Sequence, residues 1–136
     1  MQDTLPIHFA PLQGYTEAIY RNAHDAFFGG VDTYYTPFVR LEKGNFRRRD
    51  VRGIEPENNG VTHLIPQLIA SSAEKAEVIL SLFIEKGYQE VDINLGCPFP
   101  LLAKRHNGSG ILPYPEEVKA LLSIVTRYPQ ISFSVK

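Results

Sequence analysis

The sequence is poor in cysteine and has no long apolar run, and both deficits exclude classes of protein. Cys97 is the only cysteine among 136 residues, so the chain forms no internal disulfide. No apolar run approaches the roughly 18 residues that a membrane span needs, and no basic, apolar and small-residue leader opens the chain. We therefore expect a soluble protein in a reducing, cytoplasmic compartment.

The chain also lacks an excess of charge of either sign. Its 14 basic and 15 acidic residues give a formal charge of −1, which excludes a uniformly basic nucleic-acid-binding surface but not a local basic patch. One such patch surrounds Phe46, with basic members Lys43, Arg47, Arg48, Arg49 and Arg52. A run of this kind is able to contact phosphates, but because carboxylates lie nearby in the sequence we interpret it as a solvated surface.

A third absence concerns the fold. No Gly-x-Gly-x-x-Gly turn follows the first apolar run, which weakens the dinucleotide-binding version of an α/β fold. Apolar runs rich in β-branched and aromatic residues predict five strands, at 7–10, 33–36, 64–69, 91–95 and 131–135. Helical patterns lie between most of them. This alternation predicts an α/β protein with a parallel sheet, either open and doubly wound or closed as a (β/α) barrel.

Three helices are predicted between the strands. Thr16 is positioned to cap the first, a capping-box pattern at 71–74 opens the second, and Pro115 stands at the start of the third. The residues predicted to face inward in the first helix are Ile19, Ala23, Ala26 and Phe27. Those in the second helix are Ala76, Ile79, Leu80, Phe83 and Ile84, and those in the third are Val118, Leu121, Leu122 and Val125. The polar segment 42–60 predicts a long loop or a short helix.

Cys97 lies directly after the fourth predicted strand. Apolar and polar residues alternate over 91–95, and Gly96 and Pro98 then end the extended pattern, so that Asn94 and Cys97 leave at the exit of the strand. Ligands of parallel α/β folds bind at that end of the strands. A thiol there serves as a nucleophile or a proton donor. A metal site is not expected, because there is no second cysteine and the four histidines show no ligand spacing.

Several segments, taken in order, resemble the tRNA-dihydrouridine synthases, flavin enzymes that reduce uridine in tRNA. The most specific is Asn94-Leu95-Gly96-Cys97-Pro98, followed by Lys104 and by Gly108-Ser109-Gly110-Ile111-Leu112-Pro113. Segments 10–16, 66–68 and 134–136 are similar to the family's opening strand and loop, its third strand and its lysine-bearing fifth strand. The resemblance covers essentially the whole chain and favours the barrel.

The resemblance implies a role for each matching residue. Cys97 would act as the general acid that protonates C5 of uracil, while reduced FMN, renewed by NADPH, gives a hydride to C6. The implied cofactor-binding residues are Pro11, Leu12, Gln67 and Lys136, and the implied substrate-binding residues are Asn94, Lys104 and Arg105. Taken without the family, the two amides equally suit local hydrogen bonding, and the charged residues equally suit a solvated surface. The implied macromolecular partner is tRNA.

The length predicts less than one whole barrel. Eight strand–helix units need roughly 250 residues. The resemblance therefore implies that residues 1–136 are the N-terminal five-strand portion of a truncated (β/α)8 TIM barrel, without the family's C-terminal barrel strands and helical tRNA-binding domain. Two alternatives remain open: another FMN barrel of the dihydroorotate or dihydropyrimidine dehydrogenase kind, and a non-catalytic half-barrel that self-associates through its open strand edges.

Overall fold

The computed structural model describes residues 4–136 and has a mixed α/β architecture. The strands are β1 His8–Phe9, β2 Thr33–Tyr35, β3 Leu41–Glu42, β4 Asn45–Phe46, β5 Leu64–Ile65, β6 Gln67–Leu68, β7 Glu90–Ile93 and β8 Ser132–Val135. The helices are α1 Ala18–Phe27, α2 Arg48–Ile54, α3 Ala73–Glu85, α4 Pro100–Ala103 and α5 Pro115–Arg127, with 3-10 turns at Pro56–Asn58 and Gly108–Ile111. Within residues 4–136 no helix has the length and apolar character needed to cross a bilayer.

The central strands are parallel, and their spatial order follows the chain. β1 pairs with β2 and β2 with β5, while β6 pairs with β7 and β7 with β8. β5 and β6 are consecutive parts of one extended segment, and Val39, which follows β2, bridges to Leu68 in β6. Strand formation at all five predicted apolar runs is confirmed, with shorter bounds than the hydropathy pattern predicts.

Pro66 separates β5 from β6 because it has no N–H to donate to a strand ladder. Thr36, which follows the neighbouring strand β2, forms hydrogen bonds to the residues on both sides of Pro66. Its N–H donates to the Ile65 carbonyl at 3.1 Å, and its Oγ1 accepts from the Gln67 N–H at 3.0 Å. The Gln67 carbonyl then accepts from the Val39 N–H at 2.8 Å. Both backbone polar groups of Gln67 are therefore held, which fixes the position of this residue.

An apolar core joins α3 and α5 to the strands β6 and β7. Its fully buried members from these elements are Leu68, Ala76, Ile79, Leu80, Phe83, Val91, Ile93, Leu121 and Ile124. Burial of each large aliphatic or aromatic side chain contributes about 1.5–3 kcal/mol relative to exposure. Both helices are confirmed, and Ser72 caps α3 by accepting from the Lys75 N–H at 3.3 Å. Two predicted inward residues are wrong, because Ile84 and Val125 lie at the exposed rims of their helices.

The predicted inward face of α1 is also wrong. Ile19 and Phe27 are 86% and 83% exposed, whereas Arg21 is fully buried. Thr16 does not cap the helix, because its Oγ1 accepts from the Leu12 N–H at 2.8 Å and Glu17 occupies the cap position. The apolar stripe of α1 therefore does not mark its buried side within residues 4–136, where the guanidinium of Arg21 is enclosed instead.

Arg21 in α1 forms three hydrogen bonds, to the segment before α1, to α2 and to the segment after α2. Its guanidinium donates to the Thr16 carbonyl at 2.6 Å, to the Gly53 carbonyl at 2.8 Å and to Asn59 Oδ1 at 2.7 Å. Burial lowers the pKa of Arg21 to about 10. No carboxylate within residues 4–136 forms an ion pair with it, so neutral oxygens carry the whole compensation for its burial.

We expect Arg21→Ala to lower the free energy of unfolding by about 2–4 kcal/mol, since it removes these bonds and leaves a cavity. Urea unfolding measures the change. Arg52→Ala is the matched control, because the Arg52 side chain is 71% exposed and we expect a change within about 0.5 kcal/mol. Equal effects of the two substitutions would contradict a structural role for Arg21.

The segment 42–60 contains the predicted short helix, α2, and also an antiparallel hairpin of β3 and β4. The hairpin turn is Lys43-Gly44, and both residues have positive φ, at 50° and 80°. This is the backbone sign pattern of a type I′ turn, whose twist suits a two-residue hairpin. Arg47, directly before α2, is bound in a bidentate ion pair with the buried Asp50 of the helix, at 2.7 and 2.9 Å.

The two outer strands expose apolar residues. Within residues 4–136, β1 pairs only with β2, and β8 only with β7. Ile7 beside β1 and Val135 in β8 are each more than half exposed. Unpaired strand edges of this kind favour association with another chain. Self-association of the 136-residue chain stays a prediction.

Candidate active site

A row of polar side chains crosses the three strands β6, β7 and β8. Gln67, Asp92 and Ser134 are partners in the strand register and so lie side by side. The Gln67 Nε2 donates to Asp92 Oδ2 at 2.7 Å, and the Ser134 Oγ donates to Asp92 Oδ1 at 2.6 Å. Gln67 and Asp92 are almost fully buried. The Asp92 carboxylate therefore holds the Gln67 amide in one orientation.

Asn94 connects this row to the turn that carries the thiol. Its Nδ2 donates to Gln67 Oε1 at 2.9 Å, and its Oδ1 accepts from the N–H groups of Gly96 and Cys97 at 3.1 and 2.9 Å. A side-chain oxygen that accepts from the next backbone amides is typical of a strand-end asparagine. Here the same amide group also reaches across to β6. Asn94 thus fixes the position of Cys97 relative to Gln67.

Cys97 is partly exposed and packs against Phe38, Ile69 and Leu102. Its carbonyl accepts from both the N–H and the Oγ of Ser109, each at 3.0 Å. The turn is closed from the same side by Gly108, whose φ is 58°. A Cβ on Gly108 would lie 2.6 Å from the Cys97 carbonyl oxygen and 2.9 Å from its Cβ. The close approach of the two backbone segments therefore requires glycine at position 108.

A cavity of about 250 Å³ lies beside the polar row, and Asp92 and Ser134 of the row form part of its lining. Its lining residues are His8, Ala10, Pro11, Tyr35, Asp92, Ser134, Val135 and Lys136. The Tyr35 hydroxyl and His8 Nδ1 are 3.0 Å apart, and burial, with smaller contributions from Asp92 and Glu90, raises the pKa of Tyr35. The cavity combines an apolar wall with hydroxyl, carboxylate and ammonium groups, which suits a polar aromatic ligand.

The structure brings together most of the residues predicted for the site. Pro11 and Lys136, which are far apart in sequence, line one cavity with Asp92, and Gln67 and Asn94 are hydrogen-bonded partners in the row beside it. The Leu12 side chain is 57% exposed and is not among the residues that line this cavity.

The two predicted substrate-binding cations lie outside the cavity. Lys104 and Arg105 are exposed and follow α4. Arg105 lines a separate cleft that faces the hairpin of β3 and β4. The loop between them and α5 is held by His106, which binds Glu117 at 2.6 Å and stacks on Tyr114.

Asp92, Ser134 and Tyr35 are site residues that the sequence analysis does not assign. A signal for the first is present, because a carboxylate inside an otherwise apolar strand requires partners. The partner of Asp92 is set by strand register, however, and the sequence alone does not specify register between strands that are 20 or more residues apart.

Comparison with known proteins identifies the family of the chain. The family model described as dihydrouridine synthase (Dus) matches residues 8–136. The chain is 27% identical over 133 residues to the probable tRNA-dihydrouridine synthase 1 of Synechocystis sp., an alignment that covers 93% of this chain and 35% of that protein. It is 30% identical over 70 residues to tRNA-dihydrouridine synthase B of Klebsiella pneumoniae, covering 52% of this chain and 22% of that protein.

The corresponding protein of Vibrio cholerae is 32% identical over 71 residues, covering 52% of this chain and 20% of that relative. The chain thus spans about a third or less of the length of these curated relatives. The family match, by contrast, covers nearly every residue that carries the site, from the strand before Pro11 to Lys136. On this evidence the chain belongs to the dihydrouridine synthase family.

Proposed function

We propose that the protein is an FMN-dependent oxidoreductase that reduces uridine to 5,6-dihydrouridine in tRNA, with NADPH as reductant. In this proposal the chain is the N-terminal, five-strand portion of a (β/α)8 TIM barrel. One observation carries it: in a member of this family, Asn94 bonds at once to Gln67 and to the backbone of Cys97. In the proposal Gln67 binds the cofactor and Cys97 donates the proton, and Asn94 joins these two residues.

The residues around the cavity fit the ring system of FMN. Its walls include the apolar surfaces of Ala10 and Pro11, and Lys136 stands at the rim. Gln67 retains one unused amide hydrogen beside the row, since its Nε2 carries two and one is donated to Asp92. When bound, FMN would supply the hydride that the reduction of uracil requires.

Lys136 and Gln67 have distinct tasks in this proposal. An ammonium group at the cavity rim stabilises negative charge that develops on a bound ring, and it does so best in a site from which water is excluded. The Gln67 amide, held by Asp92 and Asn94, is pre-oriented and loses little freedom when it bonds a ligand edge. Gln67 and Ser134 each donate to one oxygen of Asp92, so the buried carboxylate is compensated.

Cys97 holds the proton that the substrate needs. In this proposal the Sγ–H of Cys97 donates its proton to C5 of uracil as a general acid. Asn94 and Ser109 bind the backbone of Cys97 on two sides, which limits the positions that Sγ is able to reach. Because Cys97 is partly exposed, solvent is able to return the proton after each turnover.

Purification of the full-length protein and assay on unmodified tRNA test the proposal. We expect visible flavin absorbance and NADPH-dependent formation of dihydrouridine in the tRNA. A colourless protein that does not take up added FMN would contradict the cofactor assignment. Reduction of free pyrimidines without any change in tRNA would instead favour an enzyme of the dihydroorotate or dihydropyrimidine dehydrogenase kind.

A further inference from the structure

A second cavity lies next to Cys97, between the hairpin of β3 and β4 and the loop that follows α4. Its volume is about 290 Å³. Arg40 and Lys43 contribute from the hairpin side, Lys75 from the start of α3, and Arg105 from the loop after α4. We refer to this cavity, with these four cations, as the hairpin cleft.

The hairpin cleft shares its apolar floor with the thiol. Ile69 and Leu102 line the cleft, and the same two side chains form the small cluster against which Cys97 packs. A ligand in the cleft and a base at Cys97 would therefore be separated by little more than one layer of side chains. The strand ends explain this, since the residues that follow β2, β6 and β7 emerge at the same edge of a parallel sheet.

Positive charge dominates the lining of the hairpin cleft, which has four cations, Arg40, Lys43, Lys75 and Arg105. Glu42 is the one carboxylate among the lining residues, and it accepts from Arg40 at 3.2 Å. Within residues 4–136, Lys43 and Arg105 form no ion pair, and the buried Nε of Arg40 has no hydrogen-bond partner. The cleft thus offers cationic donors that have no partner within residues 4–136.

The backbone conformation of Lys43 also supports a function for its side chain. Its φ of 50° lies in the left-handed region, where a residue other than glycine, asparagine or aspartate costs roughly 1–2 kcal/mol. The neighbouring Gly44 meets the turn requirement without strain, and asparagine would meet it at position 43. A lysine at a strained turn position is a candidate for a function of its side chain.

We propose that the hairpin cleft binds the phosphodiester backbone of the tRNA nucleotides that flank the target uridine. This inference rests on the proposed function. An apolar floor with cationic walls matches a ribose–phosphate segment, whose sugar faces are largely apolar and whose phosphates are anionic. The cleft adjoins the thiol that would protonate the uracil, and nucleotides next to a reacting base have to lie beside that thiol.

The test uses two double variants of the full-length, FMN-bound protein that remove the same charge. Lys43→Asn with Arg105→Gln empties the cleft of two cations, and asparagine tolerates the turn, so we expect folding to be preserved. Lys119→Asn with Arg52→Gln is the control, because both residues are exposed on other surfaces. The dissociation constant for unmodified tRNA is measured between 50 and 200 mM KCl, a range about twofold either side of 0.1 M, where salt dependence reports phosphate contacts.

We expect the cleft variant to bind tRNA roughly 5- to 10-fold more weakly per lost contact at about 0.1 M salt, and to reduce the slope of log K against log salt by about 0.7–0.9 per contact. The control is expected to keep the affinity and slope of the unaltered protein. Lys43→Arg, which keeps the charge at position 43, is expected to bind as the unaltered protein does. Equal behaviour of the cleft and control variants would overturn the inference. A raised KM for NADPH with unchanged tRNA affinity would also overturn it, by assigning the cleft to the dinucleotide. Failure of the unaltered protein to bind tRNA would contradict the proposed function itself.

Discussion

Replacement of Cys97 by alanine in the full-length protein is expected to lower the rate of dihydrouridine formation by about 10²- to 10⁴-fold, the usual contribution of general acid catalysis. The thiol is the proton donor in the proposed reaction, and alanine has no proton to give. Flavin binding and oxidation of NADPH are expected to persist, because Cys97 is not among the residues that line the cavity assigned to the cofactor ring. Dihydrouridine formation in tRNA, the amount of bound flavin and the oxidation of NADPH are measured separately.

Separate measurement of these three properties distinguishes loss of the proton donor from misfolding. A misfolded variant would lose all three, whereas loss of the proton donor affects only the tRNA product. Urea unfolding of the same variant checks that the small cluster of Phe38, Ile69 and Leu102 tolerates the smaller side chain. An unchanged rate of dihydrouridine formation would remove Cys97 from the mechanism and leave it as a packing residue.

Replacement of Gly108 by alanine is expected to have the second largest effect, because two costs act at the same position. The φ of 58° is strained for alanine, and the new Cβ would lie 2.6 Å from the Cys97 carbonyl oxygen, so one backbone segment has to move. We expect a loss of about 2–4 kcal/mol in the free energy of unfolding. A shift of the Cys97 turn by about 1 Å would also lower turnover by up to roughly 10²-fold.

Gly53→Ala is the matched control for this substitution. Gly53 lies in α2 and has no positive φ, and a methyl group added to it would meet no atom of residues 4–136 within 4 Å. We therefore expect unchanged or slightly higher stability. Urea unfolding and turnover on tRNA are measured for both variants. If Gly108→Ala behaves like Gly53→Ala, the close approach of Gly108 to Cys97 does not constrain the turn.

The substitutions divide the site into a reacting group and the groups that position it. Cys97 would carry the proton, while Asn94, Ser109 and Gly108 determine where its backbone lies. Asn94 differs from the other two because it also bonds Gln67. A substitution at Asn94 is therefore expected to alter both the position of the Cys97 turn and the cavity that Lys136 lines.

The order and type of the main elements follow from the sequence, since apolar alternation and helix signals are local. The five strand runs, α3 and α5 are all present, and Ser72 caps α3 one residue after the start of the predicted pattern. The motif around Cys97 also identifies the family from the sequence alone, because its residues are adjacent along the chain.

Contacts between distant segments were decided only by the tertiary structure. Arg21 occupies the interior beside α1 because the Gly53 carbonyl and the Asn59 side chain, both more than 30 residues away, accept from it there, and no local pattern in α1 encodes those acceptors. The partnership of Gln67 with Asp92 likewise depends on the register between β6 and β7. The physical reason is the same in each case: hydropathy and turn signals act between near neighbours in sequence, whereas a buried polar group is satisfied by whichever donor or acceptor the completed packing brings within about 3 Å.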